Sequence, residues 1–513
     1  MSWKRLREFG YQKCLGMSSR PEGARSGRIS LVIALLLSPS FHQAFSATAS
    51  PADRTSPSRN LEEAIWLAEP DQLHTLEKSA TRLIQEDPYS AYGHYLLAEL
   101  YLRQFKQSSS QLRLLKQASE LGQQAIDLNP SADYGYLVSA QVLDLMGYTD
   151  NALEILEGDP KVPLNASWRV SFLRGRMLSG QAPKDEVLKH FATSLHAAKG
   201  SQNIIIPYII ATLQNGSQAV ALIEELHRWK ALHPHRLFNL SLAMALSDNQ
   251  QYKDAHKVYV QLQKDYPDFT EAFINDGIIL YTQLNNPKVA QSTLKQALQS
   301  GAGLDPTRQS LVKAHLARIS LEHGKNFNEA RALFAEAIST AKNPMEWIAF
   351  SHKAYEKNQR LQDFVALLED LRPTMTGSSY LYALQGEVYS ESLAQHEKAI
   401  ESFSSAILLD PERSEFYNGL GLTYYRMHQL DKALLVFNEA TKIDPQDATA
   451  RYNQACVLAI LGRSKEALGS LKAAIGLDPR LQQTARLDKD FTSMRVMPQF
   501  QNLTNTSPVA SGS

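Results

Sequence analysis

Cysteine is nearly absent from this chain: 513 residues include two, Cys14 and Cys456. Cys14 lies in a leader-like segment, so the remainder can form neither an internal disulfide nor a zinc site of the Cys-x-x-Cys kind. A dominant charge is missing as well, since 53 basic residues face 53 acidic ones. Seven of the basic side chains fall within residues 1–49 against two acidic ones, which leaves the rest slightly acidic. Phosphate backbones are bound by clustered Lys and Arg, so nucleic acid is not an expected partner. Long apolar runs are lacking too. The longest block, Ile29–Leu37, is about half the ~20 residues that a bilayer-spanning helix needs, and no permanent membrane span is expected.

Enzyme signatures are equally scarce. There is no Walker loop, no G-x-G-x-x-G, no G-x-S-x-G and no H-E-x-x-H. The fourteen histidines form no helical i, i+4 pair. His227, His233 and His235 come closest together, but Pro234 separates the last two, and they read as polar surface at a hairpin end. Glu224-Glu225 and Glu369-Asp370 are adjacent pairs whose side chains diverge on a helix. Cys456 stands in the run Ala455-Cys456-Val457 with no flanking base, as a small packing residue. No catalytic residue, metal or cofactor is expected, and the chain is not read as an enzyme. Strand signals are also few, because Ile204-Ile-Ile206 is cut by Pro207 and reads as the start of a helix.

What is present begins with the leader. Arg28 is followed by the apolar block Ile29–Leu37, then Ser38-Pro39, then Ala47-Thr48-Ala49. A basic segment, a short apolar stretch and an A-x-A site together describe a secretory signal peptide over residues 1–49. Met17 is a more ordinary start, so residues 1–16 read as an overextended one. The expected location is outside the cytoplasm, in the periplasm or attached to the envelope. A mitochondrial presequence is the alternative if the chain is eukaryotic, because the leader is rich in Arg and Ser. Residues 50–59 and 504–513, rich in Ser, Thr and Pro, read as a disordered linker and tail.

The strongest signal is periodic. Asp410-Pro411, Asp444-Pro445 and Asp478-Pro479 recur every 34 residues, as do Ala399, Ala433 and Ala467, then Phe403, Phe437 and Leu471, then Ala406, Ala440 and Ala474. Within one unit, Tyr417, Leu420, Gly421 and Tyr424 mark one face of a first helix, and Ala433, Phe437 and Ala440 one face of a second. Small residues at Gly421 and Ala433 let the two helices approach, aromatics fill the space between them, and Pro445 stops the second helix. Such a hairpin cannot bury its own apolar face and must stack on its neighbours.

This pattern resembles the tetratricopeptide repeat (TPR) family. Residues 414–447 and 448–481 carry it most fully, while 379–413 carries it with a one-residue insertion before Ala399. Upstream, His94, Leu97, Ala98 and Tyr101 open a unit whose second helix (Ala118, Ala125, Pro130) arrives late, after the polar stretch Gln104–Gln111. Weaker units follow at Ala140/Ala152, Gly175/Phe191, Ala243/Ala255, Gly277/Ala290 and Gly324/Ala330/Phe334. The resemblance implies an all-α fold, a right-handed α-solenoid of eleven or twelve stacked hairpins. We divide it into a divergent array over 60–163, degenerate hairpins over 164–376, and a consensus array over 377–481. Interruptions at Gly158–Pro163, Gly301–Pro306 and Arg372–Ser379 read as hinges or long turns. Residues 482–503, with Asp490-Phe491 and then Pro498-Gln-Phe500, resemble the end-of-group segment that closes such arrays. Leu487, Phe491, Met494, Met497 and Phe500 would seal the last hairpin.

By resemblance, partners bind along a stripe of the first helices beside the packing face. In the consensus array that stripe holds Asn418, Leu422, Tyr425, Arg426 and Tyr452, and upstream it holds Tyr92, Tyr95 and Tyr134. Tyr and Arg suit an interface because they combine area with hydrogen bonding. The carboxylate clamp of co-chaperone arrays needs Lys and Asn on this stripe, and only Asn418 fits. The expected function is a non-catalytic scaffold or assembly factor of the cell envelope that binds other proteins or peptides. The alternatives are an accessory subunit of an export or polysaccharide-synthesis machine, and an enzyme with an unfamiliar site within residues 160–375. The leader makes one prediction: N-terminal sequencing of envelope-extracted protein will find a mature chain that begins near Ser50, and a cytosolic protein that retains Met1 or Met17 would contradict export.

Overall fold

The computed structural model describes residues 57–505, apart from 69–71, 108–110, 158–163, 165–166, 199–200 and 301–303. The leader, residues 50–56, the first interruption, part of the second, and the chain beyond 505 lie outside the described residues. All described elements are helical, and a helix already runs over Pro57–Leu67. The chain divides into two compact units, one ending at Val312 and the other beginning at Lys313, next to the second interruption. From Ala91 to Leu477 the helices form eleven successive pairs. Each unit is thus a stack of helical hairpins.

The hairpin of Ser414–Arg426 and Leu430–Ile443 shows why the pattern folds as it does. Ala433, Phe437 and Ala440 are fully buried. A Cβ on Gly421 would come within 2.7 Å of the Phe437 ring, so the pair can close only on a glycine. Gly419, two residues away, meets Phe403 of the preceding hairpin in the same manner, at 2.4 Å. One first helix therefore receives an aromatic side chain from its own second helix and another from the hairpin before it.

Two kinds of turn alternate along the stack. In each of the ten pairs whose connection is described, the first helix ends on a left-handed residue, from Gly147 (φ 88°) through His428 (φ 56°) to Gly462 (φ 76°). This conformation stops the helix and reverses the chain within a few residues. In the consensus array the return from a second helix to the next helix uses the recurring Asp-Pro. Proline has no N–H, so the Asp444 carboxylate accepts the following one, from Gln446, at 2.8 Å, and Asp478 accepts that of Arg480 at 3.1 Å.

The one-residue insertion before Ala399 takes the form of a π-turn over Val388–Ser392, and a second π-turn over Ser320–Gly324 does the same upstream. This corrects the role of Gly324: it lies in the π-turn with nothing closer than 4.0 Å to its missing Cβ, and the buried small residue ahead of Phe334 is Ala317. The late second helix upstream is explained by length, because Ala91–Gln107 and Leu112–Leu128 each have 17 residues where the consensus helices have 13 or 14.

The chain closes on a short helix Leu481–Leu487, a 3₁₀ turn Lys489–Met494 and a helix Pro498–Asn505. Phe491, Met494 and Phe500 are buried in one cluster with Leu458 and Leu471, as a seal requires. Leu487 is not part of that seal; it stands 72% exposed. The packing makes a prediction. Phe437→Ala should cost about 3–5 kcal/mol, a typical value for a fully buried phenylalanine, and Ala433→Glu should be at least as damaging. Lys432, exposed with its ammonium 5.5 Å from the Tyr424 ring, should tolerate Ala with a loss of about 1 kcal/mol or less. Thermal unfolding of the three variants checks this order.

Candidate functional site

The stripe in the consensus array is built by two first helices, Ser414–Arg426 and Ala448–Ile460, and every polar residue expected on it has a partner within the chain. Tyr425 donates its hydroxyl to Asp490, at 3.0 Å and 2.9 Å from the two carboxylate oxygens. Tyr452 donates to Asp488 at 2.7 Å, and the Cys456 thiol lies 3.9 Å from the same oxygen. Arg426 donates to Ser390 Oγ at 3.0 Å and to Glu391 at 2.9 Å. The Asn418 side-chain carbonyl accepts from Asn453 at 2.9 Å. Asp488 and Asp490 belong to the closing segment, which therefore lies on the stripe as well as on the last hairpin. Asp488 also fixes the bend by accepting the Asp490 N–H at 3.1 Å.

The electrostatics follow from this burial. Desolvation, then the Asp490 bond, raises Tyr425 above the ordinary phenol range, while desolvation, the Cys456 thiol and the Asp488 bond do so for Tyr452. Burial and the two carboxylates push the Cys456 thiol well up, which makes it unreactive. Burial raises Asp490 as well, against the Tyr425 hydrogen bond, which lowers it. Cys456, Asp488 and Asp490 have ligand atoms within 4.8 Å of one another, but hydrogen bonds to the tyrosines and the thiol already engage these carboxylates.

What stays open is a cavity of about 490 Å³ between the stripe and the closing segment. Leu422, Phe437, Leu481 and Leu487 supply apolar wall, and Arg426, Asn453, Thr484, Asp488, Lys489 and Asp490 supply polar groups of both charges. Leu422 of the expected stripe lines it directly. Leu487 and Lys489, exposed at its edge, lie outside the repeat period, so the periodic pattern gives no signal for them as binding residues.

The upstream tyrosines have a corresponding fate. Tyr92 and Tyr95 donate to the two oxygens of Glu62 at 2.9 Å and 3.2 Å, and Arg169 grips the same carboxylate with two bonds at 2.6 Å and 2.7 Å. Tyr134 packs against both tyrosine rings, with centroids 5.1 Å and 5.5 Å away, and the Arg169 guanidinium lies 5.6 Å from it. Burial alone would lower Arg169; its bonds to Glu62 reverse that and hold it above its ordinary value. Neither Glu62 nor Arg169 carries a repeat signature.

His235 is not surface: it is mostly buried, its ring nitrogen accepts the Leu237 N–H at 3.3 Å as a helix cap, and burial lowers its pKa to about 4. In the middle array, buried Asp276 bonds His256 at 2.6 Å and Gln263 at 2.9 Å.

The tetratricopeptide repeat family matches residues 379–413 and 414–447. Superkiller complex protein 3 of Mus musculus is 23% identical over 256 residues, covering 43% of this chain and 16% of that protein. Tetratricopeptide repeat protein 6 of Homo sapiens is 25% identical over 215 residues, covering 41% and 39%. The chain thus spans less than two-fifths of the length of these curated relatives. Among solved structures, MamA aligns at 20% identity with a TM-score of 0.26, over 32% of this chain and 96% of its own. YrrB, titled a TPR protein with an unusual peptide-binding site, aligns at 14% and 0.24, over 37% and 95%.

The hydrogen bonds of the stripe make a prediction. Bonds to a charged group are worth about 1.5–3 kcal/mol each, so Tyr425→Phe with Tyr452→Phe should speed amide exchange over 484–495 at least tenfold and leave 430–443 unchanged. Because both phenols titrate higher when folded, their contribution is intact below about pH 10 and is lost as pH rises through the folded values. The wild-type closing segment should therefore open in alkali more steeply than that of the double variant.

Proposed function

We propose that this tetratricopeptide-repeat protein works in the cell envelope as a scaffold that captures a partner's peptide segment in the cavity between its last repeats and its closing segment. The repeats and the proteins they resemble support a protein-interaction role. The envelope setting rests on the leader, through the basic segment, the Ile29–Leu37 block and the A-x-A site.

The observation that supports this site best is the cavity itself. Its volume, about 490 Å³, lies within the ~300–1,000 Å³ typical of ligand pockets. It combines an apolar wall with polar groups from two successive first helices, and this mixture suits an extended segment that buries one or two apolar side chains and pairs its backbone with Asn453 and Thr484. Its charged lining is balanced, with Asp488 and Asp490 beside Arg426 and Lys489, so the segment would be recognised mainly through its apolar side chains and backbone. The free energy of such a contact would be concentrated in a few side chains. Tyr425 and Arg426, tied to Asp490 and Glu391, would act mainly by shaping the cavity.

The test uses the two exposed edge residues, whose substitution leaves the packing untouched. Leu487→Glu with Lys489→Glu removes an apolar wall and reverses a charge. In pull-downs from envelope extracts, partners held by the wild type should be lost or weakened at least tenfold, with an unchanged circular dichroism spectrum and thermal midpoint. A double variant that retains every partner would move the site elsewhere.

A further inference from the structure

The closing segment turns its acids and its bases in opposite directions. Both oxygens of Asp490 accept from Tyr425, and those of Asp488 accept from Tyr452 and from the Asp490 N–H, so the two carboxylates are committed within the chain. The bases are not. Arg486 and Lys489 are exposed and form no ion pair among the described residues, and Arg495, also exposed, donates to the Asp488 backbone carbonyl at 2.9 Å. Exposed bases of the consensus array are held differently: Arg413, Lys442, Arg463 and Arg480 each lie within 3.0 Å of a carboxylate two or three residues away. After Asp490 the sequence contains no acidic residue. The Arg495 bond also draws the two ends of the 3₁₀ turn together, and each end places a large apolar side chain in solvent. Leu487 is 72% exposed and Val496 81%.

We propose that this edge of the closing segment rests on an anionic membrane surface, with Arg486, Lys489 and Arg495 at the level of the lipid phosphates and Leu487 and Val496 dipped among the headgroups.

Three features suit a bilayer better than a protein partner. Two exposed apolar side chains are too few for the buried centre of a stable protein interface, which covers roughly 1,200–2,000 Å². A headgroup layer asks for less: shallow insertion of a few apolar groups adds to an attraction between cations and lipid that needs no matching shape. The charge is also local. The chain beyond the leader is slightly acidic as a whole, so an anionic surface would draw in this end and repel the rest, which fixes the orientation of the array. Each Lys or Arg close to such a surface improves partitioning roughly fivefold, and three together on the order of a hundredfold at low salt.

The inference takes its setting from the envelope reading, but its test uses Arg486 and Val496, which do not line the cavity, so loss of vesicle binding with partners retained separates the two sites. The protein is purified as the cell leaves it and sedimented with vesicles of phosphatidylcholine and phosphatidylglycerol, about three to one, and with vesicles of phosphatidylcholine alone. It should partition to the anionic vesicles at least tenfold better, and about 0.5 M salt should remove the difference. Because the leader is itself basic and apolar, the decisive comparison is between chains that share it. Arg486→Glu with Val496→Glu should weaken anionic-vesicle binding at least tenfold, with an unchanged circular dichroism spectrum. In the wild type, anionic vesicles should slow amide exchange over 484–497 and leave 430–443 unchanged. A folded double variant that sediments like the wild type would overturn the proposal, as would a wild type that ignores both vesicles but is retained on immobilised polyglutamate, which would give the edge to an acidic protein. If the double variant does not fold, the exchange measurement decides: no added protection over 484–497 would equally overturn it.

Discussion

The stacked hairpins depend on one contact, the seating of an aromatic or aliphatic side chain of a second helix on a small residue of a first helix. Phe437 over Gly421, Phe403 against Gly419 and Leu294 over Gly277 are instances with no room for a Cβ between them. Because the same first helix is approached from both sides, no hairpin can be removed without exposing the apolar face of the next. Stability is therefore a property of neighbours. The left-handed residue after the first helix, in the ten pairs whose connection is described, and the Asp-Pro after the second helices of the consensus array keep these contacts in phase.

An array built this way has a surplus of binding surface, because packing uses one face of each first helix and leaves a second. In both compact units that second face carries tyrosines, and in both it meets carboxylates from outside the repeats: Glu62 on Tyr92 and Tyr95, and Asp488 and Asp490 on Tyr452 and Tyr425. Phenol hydroxyls are neutral donors, and a carboxylate buried against them has its lone pairs satisfied at little cost in like charge. The chemistry the stripes favour is thus visible in what the chain itself places on them.

The 34-residue recurrence of Asp-Pro, Ala and Phe was enough to place the consensus hairpins, because each of these residues acts through local geometry that repeats with the sequence. The stripe was legible for the same reason. Its occupants were not. Asp490 is 65 residues from Tyr425, and Glu62 is 107 from Arg169, and neither pair shares a position in the period. Gly324 was misread as a packing residue because a glycine near a helix end can equally belong to a widened turn. Leu487 looked like part of the seal because hydrophobicity alone does not tell which side of a short helix faces the last hairpin. The helix at Pro57 begins within a segment whose Ser and Pro content suggested a linker, and its order comes from Glu62 and Trp66 further along.

The two π-turns have a consequence of another kind. An extra residue in an ordinary helix would rotate everything after it by about 100° and throw the following contacts out of register. Here the added residue before Ala399 is confined to Val388–Ser392, and Ala399 and Phe403 are buried as their counterparts are elsewhere. The end of each first helix is thus a place where a codon can be gained or lost without disturbing the hairpins beyond it. Lineages of such a gene can drift in length at these points while the spacing of their packing residues within each helix is held fixed.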